Sequence, residues 1–378
     1  MRIVIAPDSF KESLSAAEAA MQIEAGFRSV WPDAVYTRIP MGDGGEGSVA
    51  AIVAATGGSI VDVSVTGPMG EQAQSFFGLS QDGSTGFLEM AAASGLEMVP
   101  IELRNPLLAT SYGTGELLKA VLDAGVQRIL IGIGGSAVVD AGAGMLQALG
   151  AQLLDADGKD IGRGGGPLGD IVRVDLAGLD PRLQNCHIDV ACDVDNPLLG
   201  SQGAAVVFGP QKGATSAMVE LLERSLTSFA EVIKRDVGAD VANLVGAGAA
   251  GGTGAALMAC LRATMRPGVQ IIAELTGLEA AIRDADLVIT GEGSIDSQSA
   301  RGKTAVGVAS IAKCYGKPAI VFAGAVSVEL EALRFLGFVA AFSIVPGISS
   351  REAAFAQAGE NLRKSAQNVA SLWDVASR

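Results

Sequence analysis

Residues 286–291, Asp-Leu-Val-Ile-Thr-Gly, form a nearly continuous apolar run that stops at glycines and gives way to two acids and a Gly-Lys-Thr. A short run with no polar alternation fits a strand buried on both faces, and such strands belong to parallel sheets covered by helices. Gly291 and Gly293 are then expected to turn the chain at the strand's carboxyl end, where open α/β sheets place ligands. This delivers Glu292 and Asp296 to a crevice beside Gly302, Lys303 and Thr304, which open a helix over 302–315. Acids next to a lysine at a helix start suit magnesium and phosphate. Ser297 stands where a P-loop requires its first glycine, so the stretch is no P-loop. Standing alone, it reads equally well as a glycine turn, an exposed acid and a helix cap.

The same strand-then-helix grammar occurs at both ends of the 378-residue chain. Near the start, strands over 2–6 and 35–40 alternate with a helix over 15–30, which Trp31-Pro32 ends, and with a small-residue helix that stops near Gly57-Gly58. Near the finish, strands over 286–291, 318–324 and 338–344 alternate with helices over 302–315 and 328–336, before a last helix over about 350–372. The middle differs. Runs at 59–66, 74–79 and 85–90 are joined by Gly-Pro-Met-Gly and Asp-Gly-Ser and read as antiparallel. Helices over 115–124 and 140–149 then alternate with strands over 128–133 and 187–194. The expected fold class is α/β with two α/β domains. A discontinuous Rossmann-like parallel-sheet domain comes from 1–62 and 281–378, and a mixed α/β domain, 63–280, is inserted between, with the site in the cleft between them.

Composition removes several function classes. A net charge of −14 without any basic cluster disfavours nucleic acid or an anionic membrane as partner. No apolar run approaches the ~18 residues of a span, and Met1-Arg2 leads straight into Ile3-Val4-Ile5, so a cytoplasmic protein is expected. The four cysteines show no CxxC spacing, which suggests buried thiols rather than zinc or a disulfide framework. The single histidine, His187, lies in a strand-like run and reads as structural, leaving serine-hydrolase chemistry without its usual base.

Candidate chemistry sits at the strand ends. The first strand runs into Asp8, Ser9 and Lys11, and the second into Asp43 and Glu46 among four glycines, two acids suited to a metal or a hydroxyl. The run 128–137 feeds a strand into a glycine loop (Gly134, Gly135, Ser136) with Asp140 behind it, whose amides would cradle an anion. It also satisfies GxGxxA, and Asp155 or Asp157 follows at the distance of a ribose-binding acid, so a nicotinamide-dependent dehydrogenase is the rival enzyme class. The match at 246–251 lacks a preceding strand and reads as a glycine loop capping a helix over 253–262. Asp193 or Asp195, ending the strand over 187–194, is placed to take a substrate proton. Lys212, between Pro210 and Gly213, fits phosphate contact or, by itself more readily, an exposed turn.

Taken together, APDSFKESLSA (6–16), MGDGGEGS (41–48), GTGELL (113–118), IGIGGSA and DAGAGMLQALGA (131–151), DVDNPLLG, FGPQKGA, GAGAAGGTGAAL and GEGSIDSQSARGKT resemble the bacterial glycerate kinases of the glycerate/garate, type I, family over essentially the whole chain. The resemblance implies ATP- and Mg2+-dependent phosphorylation of D-glycerate, commonly to 2-phosphoglycerate, with ATP as co-substrate and room for a homo-oligomer. On strand-end placement, the expected catalytic residues are Asp193 as base, Lys11 and Asp296. Asp8, Ser9, Gly134, Gly135, Ser136, Asp140, Lys212, Arg301 and Lys303 are expected to meet substrate or phosphate, and Asp43, Glu46 and Glu292 the metal. The chain departs from the family pattern at Val138, Val139 and Ala141, where relatives usually read Thr, Asn and Gly, and at Ser294, where they carry arginine. A small-ligand binding protein without chemistry stays open beside the dehydrogenase.

Overall fold

The computed structural model describes residues 1–42, 44–45, 47–296 and 304–376. Its strands are β1 (Arg2–Ile5), β2 (Val35–Arg38), β3 (Ser59–Thr66), β4 (Gln72–Leu79), β5 (Thr85–Glu89), β6 (Arg128–Gly132), β7 (Gln152–Leu154), β8 (Arg173–Asp175), β9 (His187–Ala191), β10 (Thr264–Arg266), β11 (Leu287–Ile295), β12 (Ala319–Val326) and β13 (Ala340–Ser343). They form a sheet in the order β13-β12-β11-β1-β2, a sheet in the order β10-β9-β6-β5-β4-β3, and the separate hairpin β7-β8. The chain is thus an α/β protein, and it divides into two compact units: residues 1–43, 54–56 and 267–378, and residues 44–53 and 57–266. No helix among the described residues is long and apolar enough to cross a membrane.

In the first unit every strand pairing is parallel, and β1 lies between β2 and β11 with Ile3 opposite Leu287. Ile3, Val4 and Ile5 are almost wholly buried, as a central parallel strand requires. The helix Ala16–Arg28 starts at a capping box in which the Glu18 amide donates to Ser15 Oγ at 3.2 Å and the Ser15 amide to Glu18 Oε2 at 2.9 Å. Its Ala19, Ala20, Ile23 and Phe27 join the core with Leu362, Ala366 and Ala370 of the last helix, Ala358–Ala376. A β-carbon at Gly26 would lie 2.5 Å from Arg363 O, so the two helices cross backbone against backbone. The terminal helix expected over 350–372 is broken at Gln357 into Arg351–Ala356 and Ala358–Ala376.

The glycines after Thr290 do not turn the chain. β11 runs straight through Gly291 and Gly293 to Ile295, with Ser294 opposite Ala325 of β12. The need for glycine is steric, because a β-carbon at Gly291 would stand 2.9 Å from Phe322 O and 3.1 Å from Phe10 Cζ.

In the second unit β3, β4 and β5 are antiparallel neighbours, and β5, β6, β9 and β10 run parallel. The helix Ser48–Thr56 packs on β4, where a β-carbon at Gly78 would sit 2.5 Å from Val53 Cγ2. A 21-residue helix, Ser216–Asp236, stands where the sequence suggested no element. Its Leu222, Leu226, Phe229 and Ile233 form one buried stripe, each stabilising the unit by about 1.5–3 kcal/mol. Thr215 caps it, accepting from the Met218 amide at 3.3 Å.

Candidate active site

In the first unit, pairing continues past the ends of the strands. The Ala6 amide donates to Ile289 O at 2.7 Å and the Asp8 amide to Gly291 O at 2.8 Å, while the Met41 amide donates to Pro7 O at 2.9 Å. The carboxyl ends of β2, β1 and β11 therefore lie side by side, and the segments after them share one edge. Asp8 and Ser9 are half-buried there, with Asp8 Oδ1 accepting from the Ser9 amide at 2.6 Å. Glu292 is buried on the neighbouring strand, and a β-carbon at Gly293 would come within 3.9 Å of the Lys11 amide. Lys11 reaches solvent and Asp296 is half-buried just beyond β11. Asp8, Ser9, Lys11, Glu292 and Asp296 thus gather at this edge, whereas Asp43, Glu46, Arg301 and Lys303 lie outside the described residues.

The second unit has its own carboxyl edge, at the ends of β5, β6 and β9. Gly44 and Gly45 lie across it: a β-carbon at Gly132 would be 2.0 Å from Gly44 O, one at Gly134 3.1 Å from Gly45 Cα, and one at Gly44 2.4 Å from Ala191 Cβ. Backbones pass here at distances that side chains forbid. Glu89, at the end of β5 and buried, accepts from the Val49 amide at 2.6 Å and the Gly47 amide at 3.2 Å, which caps the helix Ser48–Thr56.

The loop after β6 turns at Gly135, whose φ is +71°. Gly134 and Gly135 are exposed, and no described residue accepts from their amides. The loop is tied down by its other groups, since the Leu96 amide donates to Gly135 O at 2.7 Å and the Ala137 amide to Ser94 O at 2.9 Å. Ser136 is buried and its Oγ accepts from Lys212 Nζ at 3.0 Å; the same ammonium donates to Val138 O at 2.7 Å. Lys212 is therefore no exposed turn residue, and burial pulls its pKa down to about 7 against the opposing pull of Asp140.

Asp140 is wholly enclosed. Its Oδ2 accepts from the Ser111 amide and hydroxyl, both at 2.8 Å, and from the Gly144 amide at 3.4 Å, and its Oδ1 from the Gly142 amide at 3.1 Å. Burial raises its pKa and these donors pull it back. Behind the loop, Thr114 Oγ1 donates to Ser94 Oγ at 2.9 Å. Glu89, Ser94, Ser111 and Thr114 were not singled out in the sequence; GTGELL, which contains Thr114, was the one available signal. Val138, Val139 and Ala141 are fully buried in the core, so these departures from the family pattern sit in packing.

β9 ends at Ala191, which leaves Asp193 and Asp195 exposed beyond the strand rather than within it. The 246–252 loop packs beneath them: the Gly248 amide donates to Asn196 O at 2.9 Å, and a β-carbon at Gly251 would meet Val138 O at 1.9 Å.

The dinucleotide reading of the β6 loop fails. Its helix, Ala143–Ala148, does not begin at the glycines, and the next strand, β7, pairs only with β8 instead of lying beside β6. Asp155 is engaged in its own turn, where its Oδ1 accepts from the Asp157 and Lys159 amides, both at 2.9 Å. Asp155 is thus not presented at the end of a strand neighbouring β6.

Comparison with known proteins agrees with a different class. The model of the glycerate kinase family matches residues 3–374. A glycerate kinase of Bacillus subtilis (strain 168) is 52% identical over 376 residues, covering 100% of this chain and 98% of the relative. A glycerate 2-kinase of Escherichia coli (strain K12) is 52% identical over 378 residues, covering 100% and 99%. A crystal structure of a protein described as glycerate kinase 2 from Salmonella typhimurium LT2 superposes with a TM-score of 0.91 at 55% identity, covering 100% of this chain and 99% of that one. With the family model matched over residues 3–374 and relatives 52% identical over the full length, the chain belongs to the glycerate kinase family.

Proposed function

We propose that this kinase transfers the γ-phosphoryl group of ATP to a hydroxyl of D-glycerate, forming 2-phosphoglycerate. The observation that carries the reading is the loop after β6, where Gly135 is left-handed and the successive amides of the exposed Gly134 and Gly135 meet no acceptor among the described residues, leaving two donors for an anion. Full-length likeness to a glycerate 2-kinase supports the substrate and the position phosphorylated.

Asp193 is the base. Exposed at the carboxyl edge of β9, it takes the proton of the attacking hydroxyl as that oxygen bonds to phosphorus and ADP departs. Gly134, Gly135 and Ser136 hold the anionic end of the substrate, with Asp140 and Lys212 behind them. Lys11, Arg301 and Lys303 supply cations to phosphate, Ser9 a hydroxyl, and Asp8 and Asp296 carboxylates that orient the reactants.

Among the described residues no three acids, cysteines or histidines converge as a ready-made metal cage. Magnesium is commonly held by one or two carboxylates together with substrate phosphates. Glu292, with Asp8 in the segment that follows the adjacent strand β1, provides hard oxygen donors, and Asp43 and Glu46 complete the proposed set. Bound there, magnesium would neutralise charge on the phosphate oxygens.

Coupled measurement of ADP release with D-glycerate, ATP and magnesium tests the reading. Glycerate-dependent ADP formation is expected; its absence, together with tight NADH binding, would overturn it.

A further inference from the structure

Lys212 is a buried cation that makes no surface contact and ends on a single loop. Its ammonium lies between Ser136 Oγ (3.0 Å) and the Val138 carbonyl (2.7 Å). The Val138 carbonyl is closed on its other side by Gly251, whose missing β-carbon would stand 1.9 Å away. A direct role in gripping substrate is therefore unsuited to Lys212. We propose that Lys212 is a positioning residue which fixes the Ser136 hydroxyl as a donor to the anionic end of the substrate, so that its effect on the reaction passes through Ser136.

The argument is one of hydrogen-bond direction. An ammonium has three donors and no acceptor, so while it is charged the Ser136 oxygen must accept from it. The hydroxyl hydrogen is then turned away from Lys212, and no described residue accepts it. Once the lysine loses its proton, its lone pair competes for that hydrogen. The burial that pulls Lys212 to about pKa 7 places this change near neutral pH. Asp140 is the acid that acts on Lys212, and it favours the charged form. On the segment packed against the Lys212 turn, the Arg104 carbonyl would meet a β-carbon at Gly213 at 2.4 Å, and its guanidinium is held by Gln211 O, Val99 O and Leu96 O.

The proposal rests on the reading that the Gly134–Ser136 loop meets glycerate, and the experiment separates the two. Steady-state kinetics are measured for Ser136→Ala, Lys212→Met and the double variant, each first checked for its fold by circular dichroism. Both single variants are expected to raise the glycerate KM about tenfold, the ATP KM is expected to stay in place, and the double variant to be no worse than either single. An effect of Ser136→Ala without one of Lys212→Met, or effects that multiply, overturns the positioning role and leaves the site reading intact. An unchanged glycerate KM in Ser136→Ala overturns the site reading and the proposal with it. Should Lys212→Met not fold, the pH profile decides. Glycerate KM rises as pH passes about 7 in the parent and stays flat in Ser136→Ala, whereas the same rise in both overturns the proposal.

Discussion

Replacing Glu89 by glutamine removes a charge and no volume, and so isolates what this carboxylate does at the end of β5. The helix Ser48–Thr56 begins at Gly47, which has no side chain to satisfy the first amides. Glu89 supplies the cap from another strand, 2.6 Å from the Val49 amide and 3.2 Å from that of Gly47. Glutamine keeps one accepting oxygen and turns an NH2 group toward the other amide. Losing one charge-assisted bond costs about 1.5–3 kcal/mol, and losing negative charge at a helix start a further ~0.5–1 kcal/mol. The sum, about 3 kcal/mol, shifts the melting of a unit of this size by roughly 6–12 °C. Calorimetry of parent and Glu89→Gln reads the shift directly. Because Gly47, one of the amides this cap holds, adjoins the proposed metal acid Glu46 in sequence, the same variant is expected to need more magnesium for half-maximal turnover. A Glu89→Gln protein melting within about 1 °C of its parent would refute the capping argument.

Two further outcomes are expected. Asp193→Asn lowers kcat by about 10²–10⁴-fold with both KM values nearly unchanged, and a variant with full turnover removes the base assignment. Lys212, whose folded pKa of about 7 lies below the 10.5 of the free side chain, also affects stability. Between those values the unfolded chain binds the extra proton, so stability rises with pH, by up to about 5 kcal/mol; below about pH 7 both states are charged and the cost of the buried charge remains in full. Denaturant titrations across this range should show the rise in the parent and lose it in Lys212→Met. This trend is opposite in sign to that expected for glycerate affinity.

The terminal strands are legible in the sequence because burial on both faces leaves Ile3, Val4 and Ile5, or Leu287, Val288 and Ile289, without polar interruption. The course of β11 past Gly291 is not legible, since what demands glycine there is the ring of Phe10, far away in sequence. The helix Ser216–Asp236 is strongly polar outside its Leu222-to-Ile233 stripe and carries no glycine motif, so attention to apolar runs and loops passes it by. The loops of the site are visible as glycine clusters next to acids. Their supports are not: Ser136 meets Lys212 across 76 positions, Asp140 meets Ser111 across 29, and Glu89 meets Val49 across 40. Such partners are ordinary polar residues until the fold brings them inside.

The position of β1 in the middle of its sheet has a consequence for how the protein is made. Ile3 pairs on one side with Tyr36 and on the other with Leu287. During synthesis the first two strands emerge early, yet one side of β1 must wait for almost three-quarters of the chain. For that interval an apolar strand is exposed along one edge, a state that invites pairing with other nascent chains. The closing step joins segments that are remote in sequence, the class of contact that forms slowly. Folding of the second unit, residues 44–53 and 57–266, before this closure would shorten the effective loop to be closed.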